Sequence, residues 1–206
     1  MKTISTLLFA LVALLNSHGQ VLIPNGSFET GMTGWIVTGS VEALGPPRTS
    51  MAVGTEGTRA AAIGTFDNVG ASMAQVLHLT ANQNYSMTFD LLASGVYVGG
   101  LTGRVQVVVG NGINTFALNQ FSSVSTPTLH DGAEGFVPEQ FSFYLPPGIT
   151  DATLTFSDVS PNGGAHVDVV IDNIRIAAVP EPQTCLLALL SIPFVIGWRR
   201  QHLPRR

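Results

Sequence analysis

Residues 85–91 read Tyr85-Ser-Met-Thr-Phe-Asp-Leu91, and their side chains alternate between apolar and polar types. A period of two is typical of a β-strand that buries one face and exposes the other. Three later runs repeat this alternation, at residues 104–109, 141–145 and 152–157. Each run is flanked by Gly, Pro, Asn or Asp, which favour turns. The pattern therefore predicts strands, and no stretch between the two chain ends shows a convincing helical stripe.

The region that carries this alternation is long enough for one domain with a sizeable core. It runs from residue 20 to residue 178, has no evident internal repeat, and leaves room for eight to ten short strands. Many short strands separated by turn residues are typical of a sandwich or a jelly roll. We therefore predict an all-β fold, a jelly-roll β-sandwich.

The composition excludes several classes of protein. Of 206 residues, 45% are hydrophobic and 11% are charged, which excludes a disordered tail protein and argues against a cytosolic helical protein rich in Lys and Glu. The single cysteine, Cys185, excludes an internal disulfide framework and a multi-cysteine zinc site. Residues 20–178 carry twelve acidic residues, four arginines and no lysine, a net charge of −8. Such a domain does not attract nucleic acid by charge.

The N-terminal 19 residues have the layout of a secretory signal peptide. Lys2 precedes an apolar run from Leu7 to Leu15, and the small residues Ser17 and Gly19 follow it. The alternative, an N-terminal membrane anchor, is weaker because the run has about half of the ~20 residues that a span needs. We predict export, with cleavage near Gly19.

The C-terminal 28 residues combine a proline-flanked glutamate, an apolar stretch and arginines. Residues 184–198 are uncharged, but as a helix they cover only about 22 Å of a ~30 Å hydrocarbon core. The arginines that follow fit the positive-inside rule. The stretch therefore predicts a transient membrane stop, with residues 20–178 outside the membrane.

The order of these parts resembles the PEP-CTERM sorting tail of exported proteins from Gram-negative bacteria. The resemblance covers residues 179–206 and is carried by Pro180, Glu181 and Pro182, the apolar stretch, and Arg199 with Arg200. It implies that an exosortase recognises the Pro-Glu-Pro segment, and that the tail is removed on the way to the cell surface or extracellular matrix. The alternative is a plain C-terminal membrane anchor, which would not require the Pro-Glu-Pro segment.

The domain carries a second resemblance, to the galactose-binding-like β-sandwich of carbohydrate-binding modules. It is most similar to the DUF642 and choice-of-anchor extracellular domains. The segments that carry it are residues 22–31, 34–35, 57–61, 71–75, 85–90 and 170–175. The resemblance implies a jelly-roll fold and an association with extracellular polysaccharide.

The related modules bring their two termini together at a structural calcium ion. The resemblance carries over Glu29 and Asp172 as side-chain ligands, with backbone carbonyls supplying further oxygens. The alternative is that Glu29 accepts turn hydrogen bonds and Asp172 is a solvated edge carboxylate. Asp168 lies four residues before Asp172, about 13 Å along a strand. That distance is too long for one ion or for a glycosidase pair.

The domain has few residues arranged for catalysis. The domain's histidines, His78, His130 and His166, are widely spaced, and Ser72 lies in a poor match to a nucleophile elbow. We therefore predict a non-enzymatic protein.

Glycan binding usually needs an exposed aromatic platform. Trp35 and Tyr85 are expected in the core, so Tyr97, in a Gly-rich loop, and Tyr144 are the candidate ligand-binding residues. The sequence predicts a carbohydrate-associating or structural component of the cell surface or matrix. Two alternatives stay open, a hydrolase of matrix glycans and a structural or adhesive protein without glycan affinity.

Overall fold

The computed structural model describes residues 20–21, 23–45, 54–64, 70–95, 102–124, 135–161 and 167–179. Within these ranges the regular elements are all strands, and no helix capable of crossing a membrane is found there. The strands are β1 (Gln20–Val21), β2 (Ile36–Thr38), β3 (Val41–Leu44), β4 (Ala60–Ile63), β5 (Ser72–His78), β6 (Gln83–Gly95), β7 (Thr102–Gly110), β8 (Thr115–Val124), β9 (Val137–Leu145), β10 (Asp151–Asp158) and β11 (Val167–Val179).

The strands form two antiparallel sheets. The six-stranded sheet has the order β3-β4-β11-β6-β9, and β1 also pairs with β11. The five-stranded sheet has the order β2-β5-β10-β7-β8. The two sheets share one apolar core, so the predicted β-sandwich is confirmed.

The core between the sheets is built by the side chains that the period of two assigned to the buried face. Phe89 of the six-stranded sheet meets Phe121 and Phe156 of the five-stranded sheet edge to face, with ring centroids 5.1 and 5.3 Å away. Trp35 and Tyr85 are 7% and 1% exposed, which confirms both as core residues.

Each of the four runs predicted as a strand lies in a strand, and six of the described strands, β6 to β11, have eight or more residues. Strands β6 and β11 have 13 residues each and pair with one another along most of their length. Strand β11 continues through an irregularity at Asn173, which has a φ of 53°. A β-bulge of this kind adds one residue without ending the pairing, so β11 continues past Asn173.

A second apolar cluster lies on the side of the six-stranded sheet that faces away from the core. Its buried members come from β3, β4, β6 and β11, and Phe136 packs against them: Leu44, Ala60, Ala62, Leu92 and Val170. Val170 and Asp172 alternate with Ile171, which faces the core. The polar groups on this side of β11 therefore stand next to apolar surface.

Candidate functional site

The loop at residues 23–35 is organised by Asn25, which has a φ of 55°. Its Nδ2 donates to the carbonyls of Gly31 and Thr33 at 2.7 and 3.0 Å, and its Oδ1 accepts from the Thr30 amide at 3.2 Å. The Trp35 indole donates to the Asn25 carbonyl at 3.2 Å. These bonds hold the short stretch around Glu29 in a fixed turn.

The start and the end of the domain lie together. The Ile174 amide donates to the Gly26 carbonyl at 3.1 Å, and β1 pairs with β11. A Cβ atom at Gly26 would lie 2.5 Å from the Ile174 carbonyl oxygen, so only glycine allows this approach. Glu29 and Asp172 are thereby brought to the same side of the molecule, where both contact residues 54–59.

Glu29 binds the second half of that loop. Its Oε1 accepts from the amides of Thr58 and Arg59 at 2.8 and 2.7 Å, and its Oε2 accepts from the Thr58 hydroxyl at 3.1 Å. Partial burial raises the pKa of Glu29, but these donors and the Arg59 charge outweigh it, so the pKa is lowered. The expectation that Glu29 accepts turn hydrogen bonds is confirmed.

Asp172 binds the first half of the loop. Its Oδ2 accepts from the amides of Thr55 and Glu56 at 2.6 and 2.9 Å and contacts the Thr55 hydroxyl at 3.0 Å. Its Oδ1 is buried and has no hydrogen-bond partner in the described part of the chain. Burial raises the pKa of Asp172 to about 6, against the lowering effect of its donors. The alternative of a solvated edge carboxylate is wrong, since β11 is an inner strand and Asp172 is fully buried.

Asp90 is a site residue that the sequence did not reveal. It lies directly opposite Asp172 across the β6–β11 pairing, and its Oδ2 accepts from the Thr55 hydroxyl at 2.6 Å and the Asn173 amide group at 3.0 Å. Nothing near residue 90 in the sequence indicates this neighbour 82 positions away. We refer to Glu29, Asp90, Asp172 and residues 54–59 together as the carboxylate clamp.

The donor set of the carboxylate clamp suits a hard cation such as calcium. Asp172 Oδ1 is a buried carboxylate oxygen without a hydrogen-bond partner among the described residues, which fits a metal ligand. Glu29 has both oxygens engaged by the loop and only part of its acceptor capacity left. The described residues contain no group of three or more His, Cys, Asp or Glu side chains able to share one ion. Hydroxyl and backbone oxygens would therefore complete the coordination, and Glu29 as a ligand stays a prediction.

The residues considered for catalysis stay apart. Ser72 is the first residue of β5, as expected of a strand residue. His78 is exposed and contacts Asp151 through Nδ1 at 2.7 Å. No Ser–His hydrogen bond occurs within the described ranges. Asp168 lies opposite Ser94, away from the Asp90–Asp172 pair.

Tyr144 is 43% exposed and lies on β9, on the solvent side of the six-stranded sheet. Its hydroxyl donates to Asn82 Oδ1 at 2.6 Å, and Asn84 lies opposite it on β6. Gln140 donates to Ser86 at 2.7 Å on the same side. Among the described aromatic side chains, Tyr144 alone is exposed.

The remaining predicted residues lie outside the described ranges. They are Tyr97, His130 and His166, the signal peptide at residues 1–19, and the sorting-tail residues Pro180, Glu181, Pro182, Arg199 and Arg200. Their roles stay predictions.

No protein-family model and no curated protein matches the chain in sequence. Among solved structures, a family 61 carbohydrate-binding module in complex with β-1,4-galactotriose matches with a TM-score of 0.51 and 16% identity, over 76% of this chain and 97% of the module. A cyclase from Fischerella sp. TAU matches with a TM-score of 0.53 and 19% identity, over 80% of this chain and 99% of the cyclase. An arabinose-bound α-L-arabinofuranosidase matches with a TM-score of 0.50 and 8% identity, over 78% of this chain and 26% of the enzyme. These likenesses establish the fold of this chain, a jelly-roll β-sandwich.

Proposed function

We propose that the chain is an exported, non-enzymatic β-sandwich that associates with carbohydrate at the cell surface or in the extracellular matrix of a Gram-negative bacterium. Its fold is shared with a module solved in complex with β-1,4-galactotriose, which supports this class of ligand. The observation that carries the proposal is Tyr144, the exposed ring among the described aromatic residues, which stands beside amide side chains.

The surroundings of Tyr144 have the chemistry that a sugar ring needs. An exposed aromatic face packs against the C–H side of a sugar, and neighbouring amides and hydroxyls bond its hydroxyl groups. Asn84, Ser86, Ser142 and Gln140 supply such groups on β6 and β9. These groups are uncharged, and the domain has a net charge of −8. Neutral glycans therefore suit this surface better than polyanions.

A glycan array with the full-length protein tests the proposal. We expect the wild type to bind neutral glycans, with β-1,4-galactan included because of the structural likeness. Tyr144→Ala should lower the affinity by about tenfold, which corresponds to about 1.4 kcal/mol. Tyr144→Phe keeps the ring and removes only the bond to Asn82, so it should stay within about threefold of the wild type. A wild type that binds no glycan would contradict the proposal.

Export and sorting follow from the two chain ends. We propose that residues 1–19 direct export and that an exosortase acts on the segment around Pro180, Glu181 and Pro182. The apolar stretch before Arg199 would hold the chain at the membrane until that step. Expression with an exosortase and with Glu181→Ala tests this, since the variant should keep its tail and stay with the membrane.

We also propose a structural role for calcium at the carboxylate clamp. The ion would bind Asp172, and the family resemblance implies Glu29 as a second carboxylate ligand, a role that the test below compares with that of Asp90. It would connect the first loop of the domain, the loop at residues 54–59 and the last strand. Because it would be bound only in the folded state, it would raise the free energy of unfolding.

The hydrolase alternative gains little support from the carboxylates. Asp90 and Asp172 are close enough to form a glycosidase pair. However, Asp172 is fully buried and bonded by the loop amides, so a glycosidic oxygen has no access to it. A purely structural or adhesive protein remains the second candidate, and a glycan array without binding together with self-association would favour it.

A further inference from the structure

We propose that Asp90 and Asp172 share one calcium ion, with the Thr55 hydroxyl between them, and that Asp90 rather than Glu29 is the second carboxylate ligand. This assignment rests on the proposed calcium site and changes its ligand set. It is carried by the placement of the two aspartates, by their shared contact with Thr55, and by the absence of a described basic partner.

The two aspartates face one another on adjacent strands. Asp90 of β6 and Asp172 of β11 are direct partners in the antiparallel pairing, so their Cα atoms are about 4.5–5.5 Å apart. Both side chains point away from the core and meet beneath the loop at residues 54–59. Two carboxylates at this separation can each give an oxygen to one calcium ion, whose bonds are about 2.4 Å long.

Thr55 cannot satisfy both carboxylates. Its hydroxyl oxygen is 2.6 Å from Asp90 Oδ2 and 3.0 Å from Asp172 Oδ2. A hydroxyl group has one hydrogen and therefore donates to one of these oxygens at a time. The other contact brings two oxygens together without a proton between them. A positive charge bound by both carboxylates, with the unpartnered Asp172 Oδ1 as one ligand, removes this conflict and would also bind a lone pair of the hydroxyl.

The protein does not supply that charge from its described side chains. Within the described ranges no arginine or lysine forms an ion pair with Asp90 or Asp172. Arg175, opposite Thr88 on the same sheet, is bonded to Glu56 at 3.2 Å and to Asn173 at 2.7 Å. Asp172 is fully buried beside the apolar cluster around Val170, and its Oδ1 has no partner there. Asp90 is only partly buried, but a fully buried carboxylate beside a second carboxylate and without a counter-charge is strongly unfavourable, so a bound cation is the species that fits.

Glu29 has a different role in the carboxylate clamp. It is exposed, and Thr58 and Arg59 at the far end of the loop bond both of its oxygens, whereas Asp172 keeps one buried oxygen without a partner among the described residues. The described residues contain no group of three acidic side chains that could share one ion. We therefore assign Glu29 to positioning the loop and assign the ion to the aspartate pair.

Calcium titration calorimetry on the full-length protein tests this assignment. The variants are Asp90→Asn, Asp172→Asn and Glu29→Gln, with Asp151→Asn as a control that removes an exposed charge from the other sheet. We expect one calcium ion per wild-type chain. Asp90→Asn and Asp172→Asn should each weaken binding at least tenfold, while Glu29→Gln and Asp151→Asn should stay within threefold. The melting temperature without calcium shows that each variant is folded, and Asp90→Glu should restore part of the affinity.

Each other outcome has a defined meaning. If the wild type and Asp90→Asn bind calcium equally while Glu29→Gln does not, the assignment of Asp90 is overturned and the proposed calcium site stands. If the wild type binds no calcium, both the site and the assignment are overturned. The glycan array is a separate readout and is unaffected by either result.

Discussion

Asp172 and Asp158 are two buried carboxylates that look alike at first. Each has one oxygen bonded by nearby donors and one buried oxygen without a partner in the described part of the chain. For Asp158 the donors are the amide and hydroxyl of Ser160, at 2.9 and 2.5 Å. Burial raises the pKa of both side chains.

Their positions differ. Asp172 stands on the solvent side of the six-stranded sheet, opposite Asp90 and under a polar loop. Asp158 ends β10 on the core side, where its unpartnered oxygen lies close to the position that a Cβ atom at Gly64 would occupy. A second carboxylate makes the first place suitable for a cation, whereas a lone acid in an apolar place is neutralised by a proton. A free oxygen alone therefore does not define a metal site, and the neighbouring groups decide.

The largest effect expected is at the glycine beside Asp158. Gly64 has a φ of 88°, and a Cβ atom there would collide with Asp158 Oδ2. Gly64→Ala should lower the free energy of unfolding by about 4 kcal/mol and the melting temperature by about 10 °C. Gly70 has a φ of 83° with no atom within 4 Å of such a Cβ, so Gly70→Ala should lose only about 1 kcal/mol. Equal losses would show that Asp158 does not crowd Gly64.

The next largest effect is the pH dependence of stability that the two buried carboxylates, Asp172 and Asp158, produce. The pKa of Asp172 is about 6 when folded and 3.8 ordinarily, so the folded state binds the extra proton between about pH 4 and 6. Without calcium, this side chain should lower stability by up to about 3 kcal/mol as the pH rises through that window. Asp172→Asn should remove this part of the slope of the free energy of unfolding against pH. Urea unfolding from about pH 4.5 to about pH 7.5 measures that slope. Asp158→Asn should change the slope in the same direction, and an unchanged slope in Asp172→Asn would contradict the assignment of a buried, uncompensated acid.

Much of the fold was readable from the sequence, while the site was only partly readable. The period of two in residues 85–91 encodes which side chains face the core, because side-chain direction in a strand follows residue order. The neighbourhood of Asp90 and Asp172 depends on the register of two strands that are distant in the chain, and no local pattern encodes it. The burial of Asp172 was missed for the same reason, since an inner strand and an edge strand have similar sequences here.

The smallest effect expected is at Glu29, where the clamp is exposed. Glu29→Gln keeps an acceptor for the loop but removes its charge, so we expect a loss of about 1 kcal/mol and about 3 °C in melting temperature. The lowered pKa of Glu29 means that its stabilisation is present above its ordinary pKa and is lost as the pH falls below it. Asp172 should show the opposite trend. If both variants changed the slope in the same direction, the two halves of the clamp would not differ as described.

The most direct test of the cation at Asp172 is the melting temperature of the full-length protein with and without about 1 mM calcium, at about pH 7.5 and about pH 5. At the higher pH we predict that calcium raises the melting temperature by about 5 °C. At the lower pH the rise should be less than half as large, because a proton then competes with the ion for Asp172. Asp172→Asn should show no rise at either pH, and Asp158→Asn should behave as the wild type. A wild type that melts at the same temperature with and without calcium at pH 7.5 would contradict the cation site.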